Sequence, residues 1–238
     1  MQIYQIKLVF SKEDKFISTN LYYAVLWAVL NIFENDEEIY KHILKISFSF
    51  TKENFFIFIS ILWKEFFDKV VSILLELKDK TISINSHKFV YENLSFDLKE
   101  FNLENFKPKL VNEFSLKFLS PTQVRNQNKI FVLPTAEEFL FSVYTKLSDL
   151  GLDFDIDEKD FKKWLSYSVL AKKVDIKTQV AEIKKSKRAW IVWYVSYIVY
   201  DKNEDYQKLL SLLLEAIPYV WIGSGVRLGL GNVKVKII

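Results

Sequence analysis

The chain has 238 residues, half of them hydrophobic, with 21 Phe and no cysteine. That supplies enough apolar material for one large core or two small ones without a metal or disulfide staple, and it excludes thiol nucleophiles, disulfides and Cys-ligated zinc. The net charge is only +3, but thirty Lys stand against three Arg, at 125, 188 and 227, so a nucleic-acid surface has to be sought in local clusters.

Met1-Gln2-Ile3-Tyr4 enters an alternating pattern at once, without the basic flank and small-residue cleavage site of an export signal. The apolar stretches 21–33 and 55–63 fall short of the roughly 20 residues that span a bilayer. A cytoplasmic protein with no membrane partner is expected.

Residues 3–10 read as a strand, and Ser18, Thr19 or Asn20 can cap a helix over 21–33. After an acidic loop and a helical turn around 37–44, strands are expected over 46–50 and 55–62, joined by Thr51-Lys52-Glu53-Asn54. A helix over 63–77 follows, with apolar spacing at Phe66, Phe67, Val70, Val71, Leu74 and Leu75, and then a strand over 81–91. Between Ser95 and Lys109 the pattern breaks into polar residues and Pro108, which suits a connection between units.

In the second half a strand is expected over 114–119, then an excursion containing Arg125 and Lys129. Thr135-Ala136-Glu137-Glu138 has the spacing of a capping box and opens a helix to about 150. A helix over 158–171, strands over 174–183 and 190–200, a helix over 204–216 and a last strand over 233–238 complete the chain.

Both halves therefore run βαββαβ, the second with one extra helix. The expected fold is α+β: two tandem ferredoxin-like (RRM-like) domains, 1–100 and 109–238. The third strand of each half, around Phe55-Phe56-Ile57-Phe58-Ile59 and Trp190-Ile191-Val192-Trp193, is continuously apolar, as a middle strand of such a sheet should be. A generic α+β arrangement satisfies the same element list.

Four of the five glycines fall within nine residues, as Gly223-Ser224-Gly225-Val226-Arg227-Leu228-Gly229-Leu230-Gly231. Such a loop can turn several N–H groups toward phosphate oxygens, with Arg227 adding charge. It lacks the spacing of a dinucleotide fingerprint and the Lys-Ser/Thr ending of a P-loop. A tight bulge or turn without a ligand fits the same glycines.

A glycine segment of this kind, directly before the last strand of a double ferredoxin-like chain, resembles the RAMP superfamily of CRISPR-associated proteins. Within it the best match is the repeat-processing endoribonuclease family. Phe118-Leu119-Ser120-Pro121-Thr122, the lone His42 after the first helix, and Phe48-Ser49-Phe50 agree with this, in order along the whole chain. Val226-Arg227-Leu228 is three residues where that family typically has five.

The resemblance implies RAMP architecture and binding of CRISPR repeat RNA or crRNA. It also implies metal-independent cleavage to a 2′,3′-cyclic phosphate and a 5′-hydroxyl, with no cofactor and no metal ligands. The 2′-oxygen must then be deprotonated, the leaving 5′-oxygen protonated and the phosphorane charge stabilised. Imidazole, with a reference pKa near 6.5, suits the proton transfers. His42 is the candidate by its place in Tyr40-Lys41-His42-Ile43-Leu44-Lys45, although a partly exposed loop histidine reads the same way. Lys45, or else Lys41, is the candidate to stabilise charge, and Tyr23 resembles the family's occasional second catalytic group, with Tyr22 an equal choice by sequence. His87, between Ser86 and Lys88, reads as a solvated strand residue.

Lys184, Lys185, Lys187 and Arg188 form a basic turn, and Lys172 and Lys173 open the strand before it. These, with Arg125 and with Gly223, Ser224, Gly225, Arg227, Gly229 and Gly231, are the expected RNA contacts, since an RNA stem is read mostly through its backbone and shape. A solvated charged turn is the plainer reading. Other Cas proteins of an effector complex are further possible partners, and the chain is expected as a monomer or homodimer. Two rival functions stay open: a RAMP subunit that holds RNA without cutting it, and a ferredoxin-like protein of other function whose glycines only make turns.

Overall fold

The computed structural model describes residues 1–12, 28–29, 31–33, 37–50, 53–76, 81–84, 87–100, 106–119, 124–126, 129–131, 135–183, 186–220, 222 and 232–238; at 12, 37, 40, 49–50, 82–83, 87, 94, 96–97, 99–100, 124–126, 129–131, 177–183 and 186–193 only the backbone is described. The first half has strands β1 (Gln2–Lys12), β2 (Ile43–Phe50), β3 (Asn54–Leu62), β4 (Thr81–Ile84) and β5 (His87–Glu100), in the order β2-β3-β1-β5-β4. Every described neighbouring pair is antiparallel. Helices Glu37–His42 and Lys64–Leu75 accompany this sheet. Of the expected helix 21–33, residues 28, 29, 31 and 32 are helical and most of the remainder lies outside the described residues.

The second half has β6 (Glu113–Phe118), β9 (Val169–Ile183), β10 (Ser186–Val199) and β11 (Val233–Ile237) in the order β11-β6-β10-β9, again antiparallel. Helices Ala136–Asp149, Glu158–Ser168 and Glu204–Ala216 belong to it. The excursion between β6 and the first of these is a small hairpin of β7 (Val124–Asn126) and β8 (Lys129–Phe131). The first and third strands are interior in both sheets, which makes the architecture two ferredoxin-like units.

The helical turn expected over 37–44 ends at His42 and β2 starts at Ile43 rather than 46, and three further boundaries differ from the sequence expectation. The strand read over 81–91 is a hairpin, and its second arm, β5, continues through the polar stretch assigned to the connection. Asn93, Ser95, Asp97 and Lys99 look like loop residues, but they alternate with Leu94, Phe96 and Leu98, which stand opposite Leu8, Ile6 and Tyr4 of β1. Alternation of apolar and polar residues with period 2 is a strand pattern whatever its composition, so the strand persists through the polar stretch.

In the second half the helix ends at Ser168, and β9 begins five residues before the expected 174. Ala171 and Leu170 pair with Tyr197 and Ile198, and the register shifts so that Lys172 is the extra residue of a bulge. The basic turn is shorter than expected, because Ser186 already belongs to β10, and Lys187 and Arg188 are strand residues opposite Glu182 and Ala181.

Each sheet has its own core. In the first, Ile6, Leu8 and Phe10 of β1 and Phe55, Ile57, Ile59 and Ile61 of β3 meet Val70 and Leu74 of the helix. In the second, Phe114, Phe139, Phe161, Trp164 and Leu210 are fully buried. Three residues of the first half, Ile3, Leu44 and Leu62, belong to this second core. They share one end of the first sheet, Ile3 being paired with Leu62. Leu44 gets there through a bulge: Ile43 faces Ile61 and Lys45 faces Ser60, so Leu44 has no opposite number and escapes the alternation.

Candidate active site

Helix Glu37–His42 ends on His42 and runs without a break into β2, so the sheet edge fixes the histidine's backbone. Its imidazole lies flat on the ring of Phe66, with centroids 3.6 Å apart and planes at 12°. Phe66 belongs to the first turn of helix Lys64–Leu75. The histidine is half-buried, braced on one face by an aromatic ring and reachable from solvent, while the neighbouring Lys41 is exposed. A side chain held this way loses little rotational freedom when it engages a substrate.

Lys45 lies three residues further along, yet its side chain goes elsewhere. It is 2 % exposed, and its Nζ donates to the Pro218 carbonyl at 2.9 Å and to Asn232 Oδ1 at 3.3 Å. Burial pulls its pKa down from 10.5 to about 7. Lys45 and Ser60, which are paired across β2 and β3, are both buried on the face opposite the first core, and Gln5 Nε2 donates to Ser60 Oγ at 3.4 Å. The ammonium expected beside a developing phosphorane is therefore directed into the second half, and His42 and Lys45 are not presented to solvent together.

Tyr23, its alternative Tyr22, Lys184, Lys185 and the whole segment Gly223–Gly231, with Ser224, Gly225, Arg227 and Gly229, lie outside the described residues. The flanks of that segment are described. Ile222 and Val220 are buried in the second core, Asn232 accepts at its backbone oxygen from Leu119 N–H at 2.8 Å, and Val233 starts β11. Leu119 belongs to the Phe118-Leu119-Ser120-Pro121-Thr122 stretch singled out in the sequence, and it is bonded to the residue that follows the glycine-rich segment.

Lys172 and Lys173 are exposed, and Lys172 pairs with Glu113 at 2.6 Å. Lys173 is opposite Ser196 and Lys187 opposite Glu182, so nine residues of β9 separate the two basic ends, about 30 Å at the rise of a strand. Arg125, in β7, and Lys187 and Arg188 are described in the backbone alone. His87 opens β5 opposite Ile84. The Phe66 bracket and the Pro218–Asn232 acceptor pair are absent from the sequence reading. Phe66 looked like one more apolar position on its helix, and adjacency to the glycine segment was the one sequence signal that could have singled out Asn232.

Among the described residues no group of three or more His, Asp or Glu side chains could hold a metal ion, and no helix is long and apolar enough to cross a membrane.

The molecule belongs by architecture to proteins made of two ferredoxin-like units with a glycine-rich segment before the last strand. No family model and no curated protein matches the sequence. Among solved structures it is similar to a Cas6 in a product complex, with TM-score 0.77 and 18 % identity over 99 % of this chain and 100 % of that one. A histidine-to-alanine mutant of a Cas6 gives 0.74 and 17 % over 98 % and 99 %. A RAMP protein binding different RNA substrates gives 0.61 and 14 % over 99 % and 100 %. The chain thus has the fold of Cas6 and RAMP proteins along its whole length.

Proposed function

We propose that this chain is a Cas6-type endoribonuclease that binds CRISPR repeat RNA and cuts precursor crRNA, its two domains being 1–100 and 109–238. The observation that carries this reading is the end-to-end likeness to a Cas6 in a product complex, joined to a braced, solvent-reachable His42 at the junction of helix and β2. In the proposed step the RNA 2′-oxygen loses its proton and attacks the adjacent phosphorus. The P–O5′ bond breaks, and the leaving oxygen takes a proton, giving a 2′,3′-cyclic phosphate and a 5′-hydroxyl. His42 serves one of these proton transfers, an imidazole being able to accept or donate near neutral pH. Tyr23 is the proposed second group, and no metal takes part. The segment Gly223–Gly231 with Arg227, the basic residues Arg125, Lys172, Lys173, Lys184, Lys185, Lys187 and Arg188, and exposed Lys41 are the proposed RNA contacts.

The test is incubation in EDTA with the repeat RNA of the host's own array and with a copy carrying a 2′-deoxy nucleotide at the cut site. Cutting of the first alone is expected, and His42→Ala should slow it by about 10²–10⁴-fold. Undiminished cleavage by His42→Ala removes the histidine from the mechanism. One observation favours a second reading, a RAMP subunit that holds RNA without cutting: the Lys45 ammonium is enclosed by protein oxygens and does not accompany His42. Tight binding with no product from the unaltered chain is the outcome that selects it.

A further inference from the structure

The lysine that sequence position suggested for charge stabilisation makes three-way contact of another kind. Lys45 belongs to the strand that begins directly after His42, and its two acceptors lie on either side of the glycine-rich segment: Pro218, 173 residues away, before it, and Asn232, 187 residues away, after it. Asn232 is itself tied to the Leu119 N–H at the end of β6. Around this point Leu44, Ile3 and Leu62 cross from the first half into the core that also holds Val220 and Ile222. A fully buried ammonium sits at the meeting place of the histidine-bearing strand and both flanks of the segment.

A buried lysine is costly unless its protons are satisfied. Among the described residues no carboxylate pairs with it; the acceptors are a carbonyl and a side-chain amide. Such bonds are directional and strengthened by low polarity around them, so they fix geometry more than a packed Leu or Met would.

We propose that Lys45 is a positioning residue, a clasp that ties the histidine-bearing strand β2 to Pro218 and Asn232 of the second half, and so sets His42 relative to RNA held by that half. This rests on the proposed reading of His42 as the reactive residue of an RNA site. It assigns Lys45 no contact with RNA. Asn232 is the matching half of the clasp, and the role requires an oxygen acceptor at that position.

The experiment uses the full chain with Lys45→Met, Asn232→Leu, Asn232→Asp and the double variant Lys45→Met/Asn232→Leu. Val143→Ala, a truncation in the second core that touches neither clasp residue's hydrogen bonds, controls for general destabilisation. Repeat RNA affinity and single-turnover cleavage at saturating protein are measured. Lys45→Met and Asn232→Leu should each lose about tenfold or more in the cleavage rate, the double variant should be no worse than the poorer single, and Asn232→Asp should stay within about twofold of the unaltered chain. Hydrogen exchange at 216–220 and 232–237 should quicken in both single variants and not in Val143→Ala.

Cleavage within twofold of the unaltered chain for Lys45→Met, or multiplicative losses in the double variant, overturns the clasp. If the unaltered chain neither binds nor cuts the RNA, the functional reading fails. The exchange measurement then decides the clasp by itself, unchanged exchange overturning it. If Lys45→Met does not fold, the Asn232→Leu and Asn232→Asp pair carries the decision.

Discussion

The two halves repeat one element order, but they differ in how well local rules are kept. In the second half every described helix starts from a side-chain cap: Thr135 in a reciprocal box with Glu138, Asp157 accepting from Lys159 and Asp160 N–H groups, and Asn203 accepting from Tyr206 N–H. In the first half, helix Lys64–Leu75 has no side-chain cap and starts from Trp63 at φ 74°, a conformation rare for a residue with a side chain. The second core buries Trp164, Phe161 and Phe139 completely and engages Ile3, Leu44 and Leu62 of the other half. The second half thus offers a regular platform, and the first half carries its strained backbone at Trp63, three residues before the Phe66 that braces His42. Strain of this kind is stored where surrounding structure over-determines it.

The sharpest way to break this comparison is Trp164→Ala. Trp164 is fully buried and its indole N–H donates to Asp201 at 2.9 Å. Truncation should cost about 3–5 kcal/mol, and because residues of the first half belong to the same core, both halves should unfold in one transition. Two separated transitions in a denaturant titration followed by circular dichroism would mean that the platform does not support the first half.

Lys45 gives the next effect. Its folded pKa, near 7, lies below its ordinary 10.5 because of burial. Below pH 7 both folded and unfolded chains hold the proton. Between pH 7 and 10.5 the unfolded chain holds a proton that the folded chain has lost, so stability rises with pH over that window and levels off above it. Relative to Lys45→Met, the unaltered chain should gain about 3 kcal/mol between pH 7 and 9.5. A difference independent of pH would show that the ammonium keeps its proton in the folded state.

The smallest effects compare the two helix starts directly. Thr135→Ala should lose about 1 kcal/mol by removing the capping box. Trp63→Gly should gain about 0.5–1 kcal/mol, since glycine adopts positive φ without strain. Thermal melts of the two variants moving in the same direction would remove the contrast.

Much of the architecture was legible in the sequence because it follows from short-range periods. The capping spacing at Thr135–Glu138 and the helix over 204–216 appear where the pattern put them, and the continuously apolar third strands became interior strands. The strand 93–100 was lost to its polar composition although its alternation was intact, and the early start of β9 was hidden by the bulge at Lys172. Within the candidate site, the place of His42 after a helix and before a strand could be read directly. Its Phe66 bracket could not, because no local spacing says which apolar residue of one helix will face the end of another.

The sequence alone determined that the chain makes two βαββαβ units with a glycine-rich segment before the last strand, because hydrophobic period and turn chemistry act over a few residues. Only the tertiary structure decided that Leu44 leaves its own core, that Lys45 is enclosed rather than offered to solvent, and that its acceptors flank a segment more than 170 residues away. Those outcomes depend on a one-residue bulge and on desolvation at the junction of two cores, which no local pattern encodes.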